Sequence, residues 1–485
     1  MNEVYFIGID IGTQGARVAL LDGEGRVAGS QEEGFPLSAQ SREEQSPQEW
    51  WRSCHHSLTA LVAEAKQHID LRQVKAIAVT STSGTIIPLD RANEPLYPAI
   101  MYSDGRSAEE AQLCRKAALE SGTGGYAAFN ASSGLPKMLW FLRQHPGKAS
   151  QVGQFIHAAD YILGKLSGRY DTTDYTNALK SGYDVHSFSW PSYIWEKLPM
   201  QQAWLQQVVA PGAPVAHLLP ALAAELGLPA QTVVTAGMTD GCASQVAAGA
   251  VRPGDWNTTI GTTLVVKGVT LQEIKDPSGA LYCHRHPEGY WMPGGASNTG
   301  ADWVSKLFPS DIDALGRQAA ALIPTGELAW PLMQAGERFP FTAPAARGFM
   351  PEGLSGAALF AACMEGVAYI ERYAYERIAQ LSGETVQRVY TAGGGSNSDT
   401  WLGIRSNVLH LPVMKMQQVS GAAGAAILAA SKTGFASLMA AAQAMTRPEK
   451  EVRPQADMAA RYNEYYHQFI HALQQKGFLP TPQHA

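Results

Sequence analysis

Ile7-Gly8-Ile9-Asp10-Ile11-Gly12-Thr13-Gln14-Gly15 and Asn257-Thr258-Thr259-Ile260-Gly261-Thr262-Thr263 repeat one design within a single chain. Each is an apolar strand entering a Gly-Thr turn, and each is followed by a second apolar run, residues 18–21 and 264–266. The pattern predicts a β-hairpin whose tip carries small side chains, hydroxyls and backbone N–H groups, a surface that a polyphosphate can approach closely. Only the first copy holds a carboxylate, Asp10. A carboxylate among phosphate-binding groups repels the ligand unless a divalent cation stands between them, so Asp10 points to magnesium carried with a nucleotide. A lone Gly-Thr turn is an ordinary turn. Its repetition, with the aspartate in one copy, calls for a duplicated, two-lobed phosphotransferase with its nucleotide in the cleft.

A chain of 485 residues exceeds one compact core, so two or three domains are expected; the reading here is residues 1–245 and 246–485. Lys plus Arg (37) are outnumbered by Asp plus Glu (43), the net charge is −6 and no basic stripe is present, which argues against nucleic acid as a partner. The five cysteines are scattered, without a C-x-x-C pair, as expected of free thiols in a reducing cytoplasm. No apolar run is long enough to span a bilayer, and the first apolar stretch lacks a basic leader, so it reads as a strand and no membrane partner is expected.

Strand and helix signals alternate along the chain, which implies a layered α/β architecture. Ser46-Pro47-Gln48-Glu49 reads as a capping box opening an amphipathic helix to about His68. Residues 74–79 form a buried strand that ends in Thr80-Ser81-Thr82-Ser83-Gly84-Thr85, a loop at a strand's carboxyl end, where α/β folds hold ligands. Residues 232–236 are a strand, 237–241 a tight turn and 243–250 a small-residue helix. Farther on, 354–381 is a long helix, 388–391 a strand stopping at Gly393-Gly394-Gly395, 399–410 a helix, 421–426 the start of a small-residue helix and about 454–475 a terminal helix.

Asp240 stands at a strand-to-helix junction, where the positive helix end keeps a carboxylate ionised and able to accept a hydrogen bond from a hydroxyl. It reads either as a catalytic base or as a helix cap. The three glycines 393–395 let a flat adenine or ribose lie against backbone, and they equally suit a turn without a ligand. His467 and His471 share a helix face, but Gln468 stands where a zinc protease motif needs glutamate; His284 and His286 alternate without a third ligand. Both pairs read as polar surface, with no metal assigned.

In order along the chain, Asp10-x-Gly12-Thr13, Lys137-x-x-Trp140, Gly237-x-x-Asp240-Gly241, Ile260-Gly261-Thr262, Glu365-Gly366, Gly393-Gly394-Gly395-x-Asn397 and Gly421-Ala422-Ala423-Gly424 resemble the FGGY carbohydrate kinases over nearly the whole length. The resemblance implies two α/β domains of the actin-like, ribonuclease-H-like type with a central cleft where MgATP and a sugar meet. It implies that Asp240 is the base and that Asp10 holds magnesium through water. Thr13, Gln14, Gly261, Thr262 and Thr263 would line the phosphates, and Gly394, Gly395 and Asn397 the adenosine. It allows a homodimer.

Within that family, Thr82-Ser83-Gly84-Thr85, residues 174–184, residues 294–300 and Gly336-Glu337-Arg338-Phe339-Pro340 look most like the D-ribulose kinases. Thr80 replaces the acid expected there, and Ser103-Asp104-Gly105-Arg106 also resembles the xylulokinases, whose Gly-Gln-Met-His-Gly loop is absent. Thr82, Ser83, Asp104, Asp174 and Asn177, with Asp240, are the groups expected to read sugar hydroxyls, since each hydroxyl left unpaired on burial is costly. Asp104-x-Arg106 reads equally as an internal ion pair. The reading is an ATP-dependent kinase acting on a primary hydroxyl of a ketopentose, D-ribulose first and D-xylulose second. The alternative from another class is a sugar-responsive nucleotide switch on the same scaffold.

Overall fold

The computed structural model describes residues 3–122 and 126–480. Two compact units result, one from residues 1–247, 287–289 and 420–446, the other from 248–286, 290–419 and 447–485, taken over the described residues.

The first unit is built on a six-stranded sheet in the order Pro214–His217, Val233–Thr239, Val74–Ser81, Tyr5–Ile11, Gly15–Asp22, Val27–Gly34. Tyr5–Ile11 is buried at every position and runs parallel to Val74–Ser81, as a nearly continuous apolar run should when both faces of a strand are covered. Val27–Gly34, with Ser30, Gln31, Glu32 and Glu33, is the polar edge. A smaller sheet pairs Glu44–Gln45, Ala99–Ile100, Ile86–Asp90 and Val152–His157. The helix Pro47–Ala65 starts where expected, with Ser46 Oγ accepting the Glu49 N–H at 3.3 Å; Glu49 turns to Arg52 and leaves the capping box half made.

The second unit repeats this plan. Its seven-stranded sheet has the order Tyr282–Arg285, Trp291–Ser297, Leu264–Gly268, Asp255–Ile260, Arg388–Ala392, Val413–Met416, Pro448–Val452. In both units a run of antiparallel strands, three in the first and four in the second, is followed by two parallel ones and an antiparallel edge. The repeated hairpin in the sequence is therefore the start of a repeated topology. The long helix Gly356–Ser382 packs on this second sheet through Phe360, Met364, Val367 and Ile370, in a core that also holds Trp256, Trp303 and Trp330.

Three readings of the sequence are corrected. Residues 420–446 fall in the first unit, not with the rest of 246–485. The cause is backbone-to-backbone packing: every residue of the helix Gly421–Ala430 is buried, a Cβ on Gly8 would lie 1.8 Å from the Ala422 carbonyl oxygen, and one on Gly424 would lie 2.0 Å from that of Ala243. The expected turn at 237–241 is strand as far as Thr239, with the helix Asp240–Ala247 directly behind it. Gly237 fits because its Cβ would stand 1.9 Å from the Val79 carbonyl oxygen, and the register slips between Thr235 and Met238. His284 and His286 are buried rather than surface groups, while His467 and His471 are exposed.

Replacing Gly8 by alanine drives a methyl into the helix backbone, and the expected loss is about 2–4 kcal/mol or failure of the first unit to fold. Gly403→Ala, in the helix Asp399–Leu409 with nothing within 4 Å of the added Cβ, should instead be neutral or stabilising by up to about 1 kcal/mol. Urea unfolding of the two variants checks both.

Candidate active site

In the first unit, Asp10 stands near the end of the central strand and Asp240 at the first residue of the helix Asp240–Ala247. Asp10 is 8% exposed. Burial, with the charge of Asp240 second, pushes its pKa up from 3.8 to about 7. Arg17, 4.0 Å away, opposes this but is drawn 2.8 Å to Glu32. The backbone of Gly421 abuts the same carboxylate, since a Cβ there would lie 2.6 Å from Asp10 Oδ2. Asp240 is exposed, and its Oδ1 accepts the Gly241 N–H at 2.7 Å.

The tip of the first hairpin is held by its carbonyl groups. The Gly12 N–H donates to Gly15 O at 3.0 Å, the Phe35 N–H to Gln14 O at 2.8 Å and Gln45 Nε2 to Thr13 O at 2.9 Å. Among the described residues no cluster of three His, Cys, Asp or Glu could cage a metal. One buried carboxylate with a second charge nearby fits magnesium, which keeps most of its waters and is held by one or two carboxylates plus substrate phosphates.

The residues expected to meet a sugar divide into two groups. Thr82 is buried, with its Oγ1 2.8 Å from that of Thr85; Ser83 Oγ and Asn177 Oδ1 are buried and lack a partner among the described residues. Groups like these need a ligand or water to complete them. Asp174 and Asp104 are already engaged. Asp174, 1% exposed and shifted up by burial to about 6, caps the helix Tyr175–Ala178, accepting from the N–H groups of Thr176 and Asn177, Thr176 Oγ1 and Asn177 Nδ2. Asp104 holds Arg106 through Nε at 3.0 Å and Nη2 at 2.6 Å, and Arg106 reaches Glu44 at 2.7 Å and lies 4.3 Å from the Trp140 ring centre. Asp104 and Arg106 thus form the ion pair that the sequence offered as one of two readings. Lys137, three residues before Trp140, is fully buried, donates to the carbonyls of Ala131 and Ser133, and is lowered by burial to about 7.

In the second unit a cavity of about 570 Å³ brings together Gly261, Gly394, Gly395 and Asn397, with Ile312 and Arg317 of the helix Ile312–Ala319 on its wall. Gly393 (φ +82°) and Gly395 are required by packing, because a Cβ would stand 2.5 Å from Ile260 O and 2.8 Å from the Ile260 side chain respectively. Gly261 and Gly394 meet nothing within 4 Å, so packing does not require them to be glycine, and they present bare backbone to the cavity. Thr262 and Thr263 form the hairpin tip beside Gly261 and do not line the cavity. The wall from Ile312–Ala319 has no signal in the sequence. Glu365 is buried under the same core, accepting from Thr325 N and Tyr462 OH at 3.0 Å each, while Gly366 admits the Ala329 carbonyl; that motif is architectural.

The N-terminal domain of the FGGY family of carbohydrate kinases matches residues 5–247 and its C-terminal domain residues 256–433. The chain belongs to this family. It is a carbohydrate kinase, which sets aside the nucleotide-switch reading. It is 25% identical to a xylulose kinase of Bacillus subtilis over 490 residues, covering 95% of each chain, and 26% identical to a gluconokinase of Bacillus licheniformis over 494 residues, covering 96% of this chain and 95% of the other. The fold matches the crystal structure of a xylulose kinase from Rhodospirillum rubrum with a TM-score of 0.85 at 25% identity, over 97% of this chain and 98% of that one. ATP is the phosphoryl donor of such kinases. No described helix of this kinase is long and apolar enough to cross a membrane, and none of its five cysteines is in a disulfide.

The raised pKa of Asp10 fixes a sign. The folded state favours the neutral carboxyl, so ionisation destabilises the kinase progressively from about pH 4 to pH 7 and constantly above. In the absence of nucleotide and magnesium, Asp10→Asn should stabilise the first unit at pH 8 by up to about 4 kcal/mol and give no gain at pH 4. Thermal unfolding at the two pH values measures it.

Proposed function

We propose that this kinase transfers the γ-phosphoryl of MgATP to a primary hydroxyl of a ketopentose, with Asp240 as the base. The observation that supports this most directly is the charge of Asp240 acting on the buried Asp10, with unpartnered oxygens of Ser83 and Asn177 in the same unit. A buried carboxylate raised by a neighbouring carboxylate calls for a cation, and the incomplete polar groups call for a polyol.

In this reading Asp240 accepts the hydroxyl proton as the attacking oxygen bonds to the γ-phosphorus and the bond from that phosphorus to the β,γ-bridging oxygen breaks, releasing ADP. Because the transition state is loose, its main work is to orient that oxygen, for which an exposed carboxylate suffices. Asp10 would hold magnesium, which when bound would supply charge neutralisation at the phosphates. Thr13 and Gln14 in the first unit, and Gly261, Thr262 and Thr263 in the second, contact phosphate oxygens through hydroxyl, amide and N–H groups. Gly394, Gly395 and Asn397 face the adenosine. Thr82, Ser83 and Asn177 bond sugar hydroxyls.

D-Ribulose is favoured by the likeness of residues 174–184 and 294–300 to its kinases. D-Xylulose is supported equally by the names of the relatives and by Ser103-Asp104-Gly105-Arg106. In both cases we place the kinase in the cytoplasm.

Asp240→Ala should lower kcat by about 10²- to 10⁴-fold while ATP still binds. Activity merely proportional to the folded fraction would instead assign Asp240 to helix capping alone.

Steady-state kinetics on D-ribulose, D-xylulose, D-gluconate and glycerol decide the acceptor. The expected order places D-ribulose first and D-xylulose lower in kcat/KM by roughly ten- to a hundredfold, since an inverted centre strands one buried partner at about 1–3 kcal/mol. D-Gluconate or glycerol turning over best would overturn the ketopentose assignment.

A further inference from the structure

One peptide plane in the first unit is gripped at both ends by side-chain hydroxyls. Thr80 Oγ1 donates to the Met238 carbonyl oxygen at 2.8 Å, and Thr176 Oγ1 accepts the Thr239 N–H at 3.0 Å. The carbonyl and the N–H belong to the same peptide unit and point to opposite sides of it. Both threonines are fully buried. Thr80 comes from the strand Val74–Ser81, and Thr176 from the helix Tyr175–Ala178. The register between this strand and Val233–Thr239 slips just before Met238, so the hydroxyls complete backbone groups at the point where the ladder is irregular.

The residue after this peptide is Asp240. The third member of the chain, Asp174, accepts the Thr176 hydroxyl proton, which turns the oxygen lone pairs toward the Thr239 N–H. Asp174 thus stands two hydrogen bonds from the N–H of Thr239, the residue before Asp240. Thr80 also gains a reason. An ionised carboxylate at this position would face the Met238 carbonyl with no proton to give, whereas a threonine can donate.

We propose that Thr176, oriented by Asp174, and Thr80 are positioning residues for phosphoryl transfer: together they fix the peptide immediately before the one that joins Thr239 to Asp240, and with it the aim of the Asp240 carboxylate at the acceptor hydroxyl. This rests on Asp240 being the base.

The test is a double-mutant cycle in the full-length kinase. Thr176→Val and Thr80→Val, close in shape but without the hydroxyl, should each lower kcat by about 10- to 100-fold with KM for MgATP within about twofold, because misaiming the base affects the chemical step and not nucleotide binding. Thr176→Ser keeps the hydroxyl and loses a buried methyl. It should regain kcat to within about threefold of wild type while its melting temperature stays lowered, which separates aiming from stability. At high enzyme concentration, adding Thr176→Val to Asp240→Ala should cost no further activity. If the loss in Thr176→Val recurs in full in the Asp240→Ala background, or if a folded Thr176→Ser is as slow as Thr176→Val, the positioning role is overturned while the base assignment stands. If Asp240→Ala alone keeps wild-type kcat, the base assignment fails and this role falls with it. Should Thr176→Val not fold, Thr80→Val carries the same cycle.

Discussion

The first unit depends on one contact: the backbone of the helix Gly421–Ala430 pressed onto the strand Tyr5–Ile11. A side chain at Gly8 or Gly424 would occupy space already taken by carbonyl oxygens of Ala422 and Ala243. The same helix therefore touches the strand that carries Asp10 and the helix that begins with Asp240. Its first residue lies against the Asp10 carboxylate, and Ser420 caps it by accepting the Ala423 N–H at 3.1 Å. A helix N-terminus favours a carboxylate by about 0.3–1 kcal/mol, up to about 2 in buried geometry. Burial nonetheless pushes the Asp10 pKa up from 3.8 to about 7, a difference of about 4 kcal/mol. Desolvation and the Asp240 charge outweigh the helix and Arg17, and the site is left with a deficit of positive charge.

The second unit repeats the topology without the carboxylate. Below its glycine turn lies a fully buried pair: Arg405 donates to Glu371 through Nε and Nη2 at 2.7 Å each and to Thr391 Oγ1 at 2.6 Å, and Thr391 in turn donates to Thr258 O at 3.1 Å. A buried ion pair adds little net stability, but losing one partner would strand the other. The chain of bonds ties the helix Asp399–Leu409 and the strands Asp255–Ile260 and Arg388–Ala392 into one geometry, from which Gly261 and Gly394 emerge as bare backbone.

The elements legible in the sequence are those whose signal is local. The two hairpins, the Pro47 helix, the strand ending at Gly393 and the terminal helix Ala456–Gln475 each carry a turn, a cap or a period of their own. What was not legible is set by partners far along the chain. Small residues at 421–426 announce close packing but not that residue 8 receives it. Gly237 looks like a turn because nothing in its neighbours reveals the Val79 carbonyl beside it. His284 and His286 alternate as surface residues do, yet lie inside. Asp10 and Asp240 could be singled out because a carboxylate beside a glycine turn is conspicuous. Thr176 could not, and Thr80 only as a departure from the family's pattern, because a threonine that bonds to a distant peptide looks like any other buried threonine.

The state of the acids around the sugar residues bears on selectivity. Asp104 is closed by Arg106, and Asp174 is saturated by its own helix and Thr176, so neither offers a full charge to a ligand. What remains is neutral: the hydroxyl of Ser83 and the amide oxygen of Asn177, beside the bonded pair of Thr82 and Thr85. Neutral hydrogen bonds discriminate by about 1–3 kcal/mol for each partner left unpaired, roughly half of what a charged group does. On the proposed reading, a frame that holds its base and its metal ligand through backbone packing, and reads its acceptor through a few neutral groups, can change sugars by changing those groups alone. Identity near 25% with both a xylulose kinase and a gluconokinase, over nearly the whole chain, fits a scaffold of that kind.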